Sequence, residues 1–199
     1  RDVRETTALK YKRGLQYFVV TNDDRGLVLW SFDIPGYETH IYSAIKERAT
    51  LMLCPRIDNL TYLLPDIALL RELSSALSGY DYRDVTYFVR LLSRDFVINA
   101  LRRTYDKAMA IIARMLMSAS RAKGAALMRL TDKVYYAEES INKALILWEG
   151  KGYSIDSSDM KNAIGSVMEV LGRKVVKLTD RALTKVLKVL PDNHHGIDR

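Results

Sequence analysis

Residues 101–130 read LRRTYDKAMAIIARMLMSASRAKGAALMRL, and the spacing in this stretch decides the fold. At about 100° per residue, Arg103, Lys107, Arg114 and Arg121 fall within roughly 40° of one another. Leu101, Tyr105, Ala108, Ile112, Leu116, Ala119, Ala126 and Leu130 occupy the opposite side. This is the pattern of a long amphipathic helix with a cationic stripe. It predicts a helix starting near Tyr82 or Arg83, capped by Asp81 and passing Arg121, with Gly124 as a break or close-packing point.

The same arrangement recurs downstream. Met160, Ile164, Val167, Leu171, Val175, Leu178, Ala182, Val186 and Val189 step by three or four residues, while Arg173, Lys177, Arg181 and Lys185 step by four along another face. A helix from about Asp159 to Leu190, stopped by Pro191, is predicted. Between the two, Asp132 is read as starting a helix that ends at Gly150 and Gly152. Upstream, helices are expected from Thr39 to Leu53, stopped by Pro55, and from Pro65 and Asp66 to Gly79. Leu15–Thr21 and Leu27–Ile34 are β-rich runs around a five-residue loop ending in Gly26, which suggests a β-hairpin. The expected architecture is mainly α. It is a helical bundle with long amphipathic helices, a small N-terminal β-hairpin and a charged N-terminal arm. Residues 1–14 form the arm, 15–190 a single helical domain with the hairpin at 15–34, and 191–199 a polar tail.

Composition bounds the function. The 199 residues are 48% hydrophobic and 28% charged, values of a folded chain, and the formal net charge is +7. That charge is concentrated. Arg90–Lys133 holds ten basic and three acidic residues, Arg173–Lys188 six and one, so the rest of the chain sums to −5. Solvated faces usually mix signs at i, i+4, whereas like charges placed there repel unless a polyanion offsets them. A row of four cations spans about 18 to 27 Å at 1.5 Å per residue, a length suited to tracking a phosphate backbone. No array of Asn, Gln and Arg suggests base-edge readout. The 12 Tyr against 4 Phe and 2 Trp suit half-buried core, base stacking or subunit contacts. The small residues Ser118, Ala119, Ser120, Gly124, Ala125 and Ala126 allow close helix approach.

Catalytic signatures are missing. Cys54 is the one cysteine, which excludes an intramolecular disulfide and a thiolate zinc site. The His194–His195 pair lies in the tail, and no Gly-rich phosphate loop, HExxH or GxSxG occurs. Asp95 and Asp106, about 16 Å apart along a helix, are too distant for two-metal work. The expectation is a non-enzyme without cofactor or metal, with no secretory leader and no bilayer-spanning run. Gln16 is the one glutamine; few amides with many charges is a composition reported for heat-loving organisms.

A basic, largely helical, Tyr-rich and amide-poor chain with a charged arm resembles the major coat (nucleocapsid) proteins of archaeal filamentous viruses, the lipothrixvirus-like group. The likeness covers most of Thr39–Leu190 in layout and composition; no diagnostic motif of the family occurs. It implies helical subunits, alone or with a paralogous partner, that coat double-stranded DNA in a helical filament, hence a virion protein assembled in host cytoplasm. It further implies that Arg4, Lys10, Lys12 and Arg13 of the arm, with Arg103, Lys107, Arg114, Arg121, Arg173, Lys177, Arg181 and Lys185, face the phosphates, and that the hairpin joins subunits. The alternatives are a helical RNA-binding small subunit of a CRISPR-type effector complex, a protein- or membrane-surface interaction module of the cytoplasm, and a small transcription regulator.

Overall fold

The computed structural model describes residues 18–34, 39–91 and 93–189. The chain is mainly helical, and a five-stranded antiparallel sheet forms much of its core. In order come β1 (Phe18–Thr21), β2 (Leu27–Asp33), α1 (Thr39–Leu51), β3 (Arg56–Asp58), β4 (Thr61–Leu64) and α2 (Ile67–Ser74). They are followed by a 3-10 turn (Ser75–Leu77), β5 (Arg83–Leu91), α3 (Arg94–Arg121), α4 (Gly124–Gly150) and α5 (Ser158–Val189). The sheet order is β1-β5-β2-β4-β3.

Two strands form within the expected N-terminal runs, of which residues 15–17 lie outside the described residues, but they do not pair with each other. β5 lies between them, with Thr21 opposite Phe88 on one side and Val28 opposite Phe88 on the other. The reason is burial. Leu27, Val28, Leu29 and Trp30 are all buried, so β2 is a central strand whose backbone N–H and C=O groups, out of reach of water, need a partner along each edge, supplied by β5 and β4. A two-stranded hairpin offers only one. The Trp30 indole Nε1 donates to Asp84 Oδ2 at 2.9 Å, fastening β2 to β5. The connection after β1 passes so close to β5 that a Cβ at Gly26 would sit 2.9 Å from the Val89 carbonyl oxygen.

Arg83–Leu91 is therefore a strand, not the first turns of a long helix. Its Val85-Thr86-Tyr87-Phe88-Val89 run is β-branched and aromatic. The helix begins at Arg94, where the Ser93 hydroxyl accepts from the Phe96 N–H at 3.4 Å and Asp95 sits in the first turn. The β3–β4 pair, between two expected helices, is a further addition; the Asp58 carboxylate turns the chain by accepting from Leu60 N–H at 2.9 Å. Around them α1 runs Thr39–Leu51. Asp66 caps α2 by accepting from Ala68 N–H. Asp132 lies inside α4, which starts eight residues earlier at Gly124, in the left-handed region at φ +53.

The three long helices pack together behind the sheet, and one cluster of buried residues runs from Phe18 to Leu171. Val97, Leu101, Ala108, Ile112, Met115 and Ala119 form the inner face of α3. Phe18 meets Phe96 edge-on at 5.4 Å, so β1 rests on the first turn of α3. Ala126, expected on the apolar face of the first long helix, is exposed on α4, and of the small residues near the α3–α4 turn only Ala119 is buried. On α5, Met160, Ile164, Val167 and Leu171 are buried, but Leu178 and Ala182 are exposed. The apolar face runs on past the helices that cover it.

Candidate nucleic-acid interface

α3 and α5 lie side by side and run the same way. The Met160 N–H, at the start of α5, meets the side chain of Tyr105, about three turns into α3. At the end of α3 and the middle of α5, the Lys174 ammonium donates to the carbonyl oxygens of Ser120 (2.6 Å) and Ala122 (3.2 Å). Those carbonyls close α3, so Lys174 is a cation on the negative end of the α3 dipole. α5 continues fifteen residues beyond Lys174 to Val189, about 22 Å at 1.5 Å per residue. This distal half overhangs the α3–α4 turn.

The geometry sorts the predicted cations. Arg4, Lys10, Lys12 and Arg13 lie outside the described residues. Arg103, Lys107, Arg114 and Arg121 are exposed on α3, as the period of the sequence predicts. Lys107 and Arg114 border a groove of about 590 Å³ whose other wall is α1, with Ser43, Lys46, Glu47 and Thr50. Glu47 in that wall is held by Lys133 at 2.5 Å, leaving Lys46 to join the two cations of α3. Arg173, Lys177, Arg181 and Lys185 are exposed on α5. Arg173 forms an i, i+4 ion pair with Glu169, so the second stripe begins with a locally neutralised charge.

Lys174 brings the two stripes together. The first ends at Arg121, beside the carbonyls that Lys174 holds, and the second leaves that point through Lys177. Lys123 and Arg129 are exposed at the same corner. Arg121 of α3, Lys123 of the α3–α4 turn and Lys174 of α5 thus meet at one corner, with Lys177 one turn further along α5. Lys46 and Lys174 were missed because their significance depends on which helix lies beside them. The arrangement offers several ammonium and guanidinium groups to a chain of phosphates and few groups able to read base edges.

Other polar clusters are structural. Arg94 lies over the Tyr153 ring at 4.8 Å and donates to the Gly152 carbonyl, binding α3 to the α4–α5 connection. Asp106 lines a cavity of about 380 Å³ with Arg94, Arg102, Tyr105 and Asp156. Asp95 does not line that cavity. The Asp156 carboxylate accepts from the Ser158 N–H and hydroxyl at the start of α5, and these bonds hold it below the usual carboxylate range. Among the described residues no group of three or more His, Cys, Asp or Glu could hold a metal ion, and no helix is long and apolar enough to cross a membrane. The chain matches no protein-family model, and no curated protein or solved structure is significantly similar to it.

Proposed function

We propose that the protein is a non-catalytic structural subunit that coats double-stranded DNA in a helical filament through its basic helix faces, a viral nucleocapsid protein found in the virion. What supports the reading is the Lys174 contact with the end of α3, which puts Arg121 and Lys123, the last cations of the α3 stripe and turn, beside α5. Each phosphate neutralised there releases condensed counterions, so binding is favourable without any base contact. Arg103, Lys107, Arg114, Arg121 and Lys123 are the phosphate-facing set, with the basic arm as a further contact. The helical bundle is the part of the subunit that carries these stripes, and the sheet buttresses it.

Electron microscopy of the protein with and without long duplex DNA tests this. Regular filaments that require DNA are expected. Discrete particles that prefer single-stranded RNA would transfer the reading to an effector-complex subunit, and vesicle binding without nucleic-acid binding would transfer it to a membrane-surface module.

A further inference from the structure

Two exposed surfaces of the described residues complement each other, and neither is covered within the chain. The first is the overhang of α5, where Leu178 (41% exposed) and Ala182 carry the apolar face on beyond Leu171, with Arg181 and Lys185 along one side of it. Val176 and Leu183 are exposed on the far side, and Asp180 is the one acid from Val176 to Lys185. The second is the outer face of α4. There Met128 (47%), Tyr135 (57%) and Ile146 (69%) are exposed, and at about 100° per residue they lie within roughly 20° of one another. Asp132 and Glu139 flank this row on one side, Glu138 and Glu149 on the other. None of these four carboxylates is in an ion pair among the described residues. Two of the three basic residues of α4 turn elsewhere: Lys133 pairs with Glu47 of α1 and Lys143 with Glu72 of α2.

We infer that a second copy of the chain docks its α5 overhang onto the outer face of α4. An amphipathic helix laid on an apolar row is a common recognition mode, and its specificity here comes from cations meeting carboxylates. The overhang fits within the row: Met128 to Ile146 spans about 27 Å and Val176 to Val189 about 20 Å at 1.5 Å per residue. Pairing of two overhangs is disfavoured, because each carries an excess of cations. The contact uses different patches on the two copies, and such a heterologous interface propagates into rings or open filaments. This inference rests on the polymer part of the proposed function and not on DNA binding. It leaves Arg114, Arg121 and Lys123 to the phosphates and assigns Arg181 and Lys185 to the neighbouring subunit.

Sedimentation velocity on the full chain at low salt, with no nucleic acid present, is the test. The wild type is expected to associate into a concentration-dependent series. Reversing charge on α4 (Asp132→Lys with Glu139→Lys) or on α5 (Arg181→Glu with Lys185→Glu) should weaken association about tenfold or more, the scale of close charge pairs. All four residues are exposed, so circular dichroism should show an unchanged fold. Mixing the two reversed proteins should restore assembly, since each overhang again meets opposite charge. A wild type that stays monomeric, or a mixture that does not recover, overturns the inference. So does an α5 reversal that weakens duplex binding while the α4 reversal leaves association unchanged, which would assign the overhang to nucleic acid. Association without any duplex affinity would remove the DNA-coating function and leave this interface standing.

Discussion

The indole Nε1 of Trp148 donates to the carbonyl oxygen of Leu53 at 2.9 Å, and both residues are fully buried. Leu53 follows α1 with φ +49, a left-handed conformation that costs a non-glycine residue about 1 to 2 kcal/mol. The bond from the last turns of α4 gives that strained carbonyl its partner. Trp148→Phe removes the donor and leaves a buried acceptor unpaired. It should lower unfolding free energy by about 1 to 3 kcal/mol, read as a shift of the denaturation midpoint with unchanged slope. A shift within error would mean that the bond does not hold the α1 end to α4.

Two glycines should respond with opposite sign. Gly26→Ala would bring a Cβ to 2.9 Å from the Val89 oxygen and 3.1 Å from the Asp23 oxygen, both backbone atoms that side-chain rotation cannot clear. A loss of about 1 to 3 kcal/mol is expected from such overpacking. Gly172 lies within α5 with nothing within 4 Å of an added Cβ. Gly172→Ala should stabilise by about 0.5 to 1 kcal/mol through helix propensity. Thermal unfolding of the two variants gives both signs.

Those two positions show where the sequence is informative. Gly172 sits in a helix legible from its period of three and four. The importance of Gly26 depends on β5, some sixty residues away, which local patterning cannot place. Leu27–Asp33 could be recognised as a strand from its β-branched and aromatic run, but its partners could not. Arg83–Leu91 carried its own β signal in Val85–Val89 and was absorbed into the strong helical period that begins at Arg94. Ser93, a capping residue three before Phe96, was the boundary cue. The α3 and α5 cations were legible because exposure follows helical phase. Burial of the apolar face was legible only as far as Leu171, since a stripe does not say whether a neighbour covers it. Lys174 acquires its role from the α3 end beside it, a relation with no local signature.

Cys54 is buried, and burial, with the Glu72 carboxylate adding to it, pushes its thiol up. The native protein should therefore not react with a disulfide reagent over the time in which a free thiol reacts fully, and should release one equivalent on unfolding. Fast reaction of the native protein would contradict this packing.

Tyr62 is buried in β4, and burial pushes its hydroxyl from 10 up to about 12, against a smaller opposite pull from Arg56. The unfolded chain loses this proton first, so the stabilisation is complete below about pH 10 and is lost as pH rises toward 12. Absorbance titration of the native protein should show a tyrosine that ionises only toward pH 12. Tyr62→Phe should remove that step and flatten the decline in stability between pH 10 and 12.

The central claim is that the α3 stripe and the α3–α4 corner hold phosphates. The most direct measurement is the salt dependence of affinity for a short duplex, comparing the wild type with Arg114→Ala/Arg121→Ala/Lys123→Ala. Each lost phosphate contact should reduce the slope of log affinity against log salt by about 0.9, so a fall of about 2 to 3 is predicted, equal for unrelated sequences. An unchanged affinity and slope would contradict it and remove this edge as the nucleic-acid interface.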